Sequence, residues 1–98
     1  MQIATFLFDG TQEQFKKAGE TAEQCGFGFT SLASGCGVEI VNITYRDAQV
    51  GVVVAIRRTD SNEENNILLE GRLEIQMPQF DLVRMILTHH GIKFSRHF

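Results

Sequence analysis

Tryptophan is absent from the 98 residues, and proline and tyrosine occur once each. Basic residues are few and scattered: nine Lys and Arg stand against twelve Asp and Glu, for a formal net charge of -3. Only Lys16-Lys17 and Arg57-Arg58 adjoin. A nucleic-acid partner needs a concentrated Lys/Arg surface to neutralise several phosphates, so none is expected. No run approaches the ~20 apolar residues of a membrane-spanning helix, and no membrane partner is expected. Met1 to Phe8 is too short for a secretion signal and lacks its basic flank. The expectation is a soluble cytoplasmic protein.

Cysteine is equally sparse. Cys25 and Cys36 fit neither a C-x-x-C redox motif nor a zinc ligand set, and a reducing compartment argues against a disulfide between them. Cys25 is expected as a small buried hydrophobe on a helix; Cys36, between Gly35 and Gly37, is expected in a turn. The histidines make no metal site, since His89 and His90 are adjacent rather than three or four apart on a helix. No Gly-x-Ser-x-Gly elbow or Walker-type lysine is present. Neither a cofactor nor a metal is expected.

What is present is a run of strand-forming sequence from Val38 to Met77. Period-two alternation and β-branched residues predict strands over Val38–Tyr45, Gln49–Arg57 and Ile67–Met77. Val50, Val52, Val54 and Ile56 are expected on the core face of the second, with Leu69, Leu73, Ile75 and Met77 on that of the third. A register with Ile56 opposite Leu69, Val54 opposite Gly71 and Val52 opposite Leu73 keeps these sets together, because a one-residue slip would invert a strand. A turn at Asp47-Ala48 sets Tyr45 across from Val50, Ile43 from Val52 and Val41 from Val54. Thr59 to Asn66 is polar throughout and predicts a connecting loop.

Ahead of this run, Gln2 to Phe8 predicts a central strand covered on both faces. Thr11 stands three residues before Gln14, the capping-box spacing, and Phe15, Ala18, Ala22 and Cys25 form a helical stripe. Gly26 suits the helix C-terminus. Phe27 to Ala33 predicts a weaker strand, and Ser34 to Gly37 a turn or loop. After the run, Pro78 suits a helix's first turn. Phe80, Val83, Ile86, Leu87 and His90 recur at helical spacing, with Leu82 widening the buried side, up to Gly91. Ile92 to Phe98 predicts a closing strand.

The element order is therefore β-α-β-β-β-β-α-β in a single α+β domain spanning 1–98. The expected fold is a two-layer α/β sandwich, ferredoxin-like or related, with an antiparallel sheet and two helices on one face. That likeness is architectural only.

Function is read from what such a sheet leaves open. Its second face is expected to carry Ile40, Asn42, Thr44, Val53, Ala55, Arg57, Leu68, Glu70, Arg72 and Glu74. This mixture of apolar and charged residues can form an interface without making the monomer insoluble. The leading expectation is a non-catalytic binding or regulatory protein acting through this face as a homodimer, or on another protein. The alternative is a small-molecule binder with an apolar pocket between helices and sheet, lined by Phe6, Phe8, Phe15, Phe29, Tyr45 and Phe80. A third reading is a small enzyme using Cys36 or a turn carboxylate among Asp9, Asp47, Asp60 and Glu70. Each of those carboxylates has a simpler role: Asp9 precedes a helix, Asp47 and Asp60 suit turns, and Glu70 can pair with Arg57 or Arg72.

Overall fold

Local signals set both helices. Thr11 accepts a hydrogen bond from the Gln14 amide at 3.1 Å, and the Gln14 side chain accepts one from the Thr11 amide at 2.9 Å. Two backbone donors with no intrahelical partner are thus satisfied reciprocally. The helix that follows, α1, runs Gln12–Gln24 and buries Ala18 and Ala22. The second, α2, runs Met77–His89 with Pro78 in its first turn. Each is followed closely by a glycine at positive φ, Gly26 at 102° and Gly91 at 73°, a left-handed conformation that glycine adopts without steric cost.

The computed structural model describes the backbone of residues 2–58 and 67–97, with side chains over 2–58 and 67–95. The connection expected at Thr59 to Asn66 lies outside the described residues. The strands are β1 (Ile3–Thr11), β2 (Phe27–Gly35), β3 (Val38–Tyr45), β4 (Ala48–Arg57), β5 (Leu68–Gln76) and β6 (Lys93–His97). They form one antiparallel sheet in the order β2-β3-β4-β5-β1-β6. Both helices lie on one face, which makes a two-layer α+β sandwich.

Removing the β3-β4 hairpin leaves β2-β5-β1-β6. In that reduced sheet β1-α1-β2 straddles β5, and β5-α2-β6 straddles β1, the interleaved arrangement of the ferredoxin-like sandwich. The hairpin changes the coverage. Four strands span roughly 19 Å at their usual spacing and six roughly 29 Å, while two helices cover about 20 Å. The helices pack on one another and make their close approaches to β1, β2, β5 and β6. The helix-side surface of β3 and β4 is left partly uncovered.

The core lies under the helices and reaches Phe27, Ile43 and Val50 on β2, β3 and β4, with its stacked aromatic centre at the β5-β1-β6 end. Phe6 stacks on Phe80 with ring centroids 5.2 Å apart and meets Phe94 edge-on at 5.6 Å. Gly71 is required here by close approach: a Cβ at that position would lie 1.9 Å from the Val54 carbonyl oxygen and 2.9 Å from the Phe8 ring.

Register departs from expectation in β4. The turn is Arg46-Asp47, both residues at positive φ, as a two-residue type I′ hairpin requires, and Tyr45 faces Ala48. A bulge at Val50 then resets the alternation, so that Ile43 faces Gly51 and Val41 faces Val53. On the other side Ile56 faces Glu70, Val54 faces Arg72 and Val52 faces Glu74. Val52, Val54 and Ile56, expected in the core, therefore turn away from the helices. Val53, Ala55 and Arg57, expected on the open face, turn towards them. A bulge places two residues opposite one, which is how Val50 remains buried while every later residue of β4 changes sides.

Two smaller corrections follow. Cys25 lies beyond the last turn of α1 and is exposed rather than buried. β1 is covered on one face only: Ala4, Phe6 and Phe8 are buried, whereas Leu7 on the other face is 45% exposed.

Candidate functional site

Two surfaces stand out, one on each side of β4. The first is the sheet face turned away from the helices. Val38 and Ile56 are directly paired there, as are Ile40 and Val54, with Val52 beside Asn42. Ile56 is 41% exposed. No helix of the described residues covers this patch. Along its edge β5 presents Glu70, Arg72 and Glu74 in a row, with Arg72 Nη2 3.4 Å from Glu74 Oε1. Beyond that row β1 contributes Thr5 opposite Glu74, Leu7 opposite Arg72 and Asp9 opposite Glu70.

Of the residues expected on this face, Ile40, Asn42, Thr44, Leu68, Glu70, Arg72 and Glu74 share it. Val53, Ala55 and Arg57 do not. Their places are taken by Val52, Val54 and Ile56, so the face is more apolar than the alternation implied. The hidden signal was the run Val52-Val53-Val54, apolar at both parities, in which either register satisfies the hydrophobic pattern.

The second surface is a cavity of about 400 Å³ between the helices and the uncovered part of β2, β3 and β4. Phe8, Phe15 and Phe29, three of the six residues named for a pocket, line it together with Val41, Ile43, Val53, Leu69, Leu73 and Val83. Phe6, Tyr45 and Phe80 lie outside it. Phe6 and Phe80 are spent on the stacked core pair. Tyr45 packs on Phe27 at 4.8 Å under the Arg46 guanidinium. A sealed apolar void of this size would cost about 10 kcal/mol at the rate measured for engineered cavities, as much as the whole stability of a domain. The space instead opens to the surface at its β2-β3 side, where Phe29, Ser31 and Glu39 are exposed.

The other candidate groups have structural occupations. Arg58 Nη1 donates to Asp9 Oδ2 at 2.9 Å, tying the end of β4 to β1. Asp47 forms the β3-β4 turn, while Asp60 lies outside the described residues. Arg72, one of the two partners expected for Glu70, pairs instead with Glu74 on the same strand. His90 Nε2 lies 2.7 Å from Thr21 Oγ1 and links the ends of the two helices. Cys36 forms the β2-β3 turn with Gly37, both at positive φ. Among the described residues no three His, Cys, Asp or Glu groups cluster as a metal site would need. None of the described helices is long and apolar enough to cross a membrane.

No protein-family model, curated protein or solved structure matches the chain.

Proposed function

We propose that this chain is a non-catalytic binding protein that works as a homodimer, two copies stacking through the sheet face that the helices leave open. The observation that carries this reading is the contiguous patch of Val38, Ile40, Val52, Val54 and Ile56 on that face. An apolar patch with a charged border is the composition of an interface core and its rim.

Size supports the reading. Six strands at ~4.8 Å and about eight residues at ~3.3 Å make a face of roughly 750 Å², close to the ~800 Å² per partner of a standard stable interface.

Charge supports it as well. Val54 is level with Arg72, and Val52 with Glu74. A two-fold axis running across the strands between these levels sets Arg72 of one copy over Glu74 of the other, and the reverse. The same axis sets Val54 over Val52. Self-complementarity of this kind is what a two-fold interface requires. Two exposed, unpaired thiols, Cys25 and Cys36, fit the reducing cytoplasm. A dimer formed this way keeps its helices and sheet edges outward for a further protein.

Light scattering over a concentration series tests the proposal, and a dimer is expected. Arg72→Glu should shift the chain to monomer, because it sets like charges against each other across the axis. The double exchange Arg72→Glu with Glu74→Arg should restore the dimer. A wild-type chain that stays monomeric, or a double exchange that restores nothing, would overturn it.

A further inference from the structure

We propose that the cavity on the helix side is a binding site for a small amphiphilic amine, with an apolar body under the helices and a cationic head at Glu39. This goes beyond dimerisation and uses the opposite face of the sheet.

The volume of about 400 Å³ falls within the range of small-molecule sites. An engineered cavity of ~150 Å³ holds benzene, so on the same scale this one has room for roughly fifteen non-hydrogen atoms. Its depth is apolar, formed by Phe15 of α1 and by Phe8, Val41, Val53 and Leu73 of the sheet. Among the described residues its polar side chains are Ser31 and Glu39, both exposed and both on the β2-β3 side. A ligand seated here has its apolar part fixed by the depth and its polar part directed to that mouth.

The sign of the head group follows from the charges. Among the described residues of the lining Glu39 is the one charged member, and none is Lys, Arg or His. The nearest cation along the strands is Arg57, two residues beyond Ala55 on the same face and diagonal to Glu39; it lies outside the lining. A carboxylate at the mouth attracts an ammonium and repels a fatty carboxylate. For groups in contact with water the difference amounts to about tenfold in affinity. Ser31 can accept a further hydrogen bond from the same ammonium.

The experiment uses the full chain with N-phenyl-1-naphthylamine, a neutral apolar dye that brightens on leaving water, and competes it with decylamine, decanol and decanoate below their micellar concentrations. The dye should bind. Decylamine should displace it about tenfold better than decanoate, with decanol between them. Glu39→Gln should abolish that preference while leaving dye affinity within about twofold.

The dye could also meet the apolar patch on the opposite sheet face, so two variants separate the sites. Val53→Phe fills the cavity and should eliminate binding, whereas Val54→Glu on the open face should leave it intact. Circular dichroism confirms that each variant is folded, and Leu73→Phe replaces Val53→Phe if the latter is not. Absence of dye binding overturns the proposal. So does equal displacement by decylamine and decanoate, or dye signal lost with Val54→Glu but not with the filled cavity. Failure of dimerisation would leave these outcomes unchanged.

Discussion

Val53 and Val54 are adjacent and chemically identical, and the bulge at Val50 assigns them opposite fates. Val53 faces Leu73 across β5 and Val41 across β3 on the helix side. Val54 faces Arg72 and Ile40 on the open side. Val53→Glu puts a carboxylate among valine and leucine with no cation directly across, at a cost of at least about 2 kcal/mol. For a chain of this size that corresponds to a fall of roughly 8 to 16 °C in Tm. Val54→Glu puts the same group directly opposite a guanidinium, and the loss of strand propensity is at most ~1 kcal/mol. The monomer should therefore keep its Tm within about 8 °C. Its effect appears in assembly. About 1 kcal/mol per copy is lost from the part of Val54 that a second copy would bury, and at least ~2 kcal/mol from facing a carboxylate with apolar surface. Symmetry doubles both, giving roughly 6 kcal/mol, or about 10⁴ in the dissociation constant. Thermal melts of both variants, taken dilute enough that the wild type is monomeric, with light scattering at higher concentration, read the two effects separately. Without the bulge the fates would interchange. A Val54→Glu chain that melts far below Val53→Glu would refute the register.

Two further substitutions test the features that set this register. Asp47→Gly should stabilise the fold by about 0.5 to 1 kcal/mol, seen as a higher urea midpoint with unchanged slope. The reason is that a non-glycine residue at φ 67° carries a left-handed cost that glycine avoids. An unchanged or lower midpoint would argue against a type I′ turn at Arg46-Asp47. Gly71→Ala should cost at least about 3 kcal/mol, because the added Cβ meets the backbone oxygen of Val54 rather than a side chain that could move. A near-normal melting temperature for that variant would mean that β4 and β5 do not approach as described.

Much of the fold was legible because its signals are local or unambiguous in parity. Thr11 and Gln14 announce α1, and Pro78 and Gly91 bracket α2. On β5 the polar residues Glu70, Arg72 and Glu74 alternate with Leu69, Leu73 and Ile75, so one register alone is acceptable. On β4 that condition fails. Val52, Val53 and Val54 satisfy the core from either side, and the choice falls to a turn without glycine and a bulge, neither of which leaves a mark in hydrophobicity. Strand order was not legible, because it depends on pairings between distant segments. The cavity was half legible: Phe8, Phe15 and Phe29 line it, but aromatic content could not separate them from Phe6 and Phe80, which fill the core. A better signal was the ratio of elements. Six strands against two helices leave sheet uncovered on the helix side whatever the order.

That ratio also explains why both candidate surfaces meet at β4. In the four-stranded arrangement obtained by removing β3 and β4, two helices match the width of the sheet, and β5 would pair with β2. Inserting the hairpin pushes β2 outward while α1 must still reach it from β1. The helix-side surface of the inserted strands then loses its cover, and the cavity lies over that surface. On the reverse side the same strands add Val38, Ile40, Val52, Val54 and Ile56 to a face on which β5 presents Glu70, Arg72 and Glu74. An inserted hairpin with one polar face would have needed no cover there. This one is apolar on both sides, and in the proposed dimer a second copy would remove from water the outer surface that the chain's two helices cannot reach.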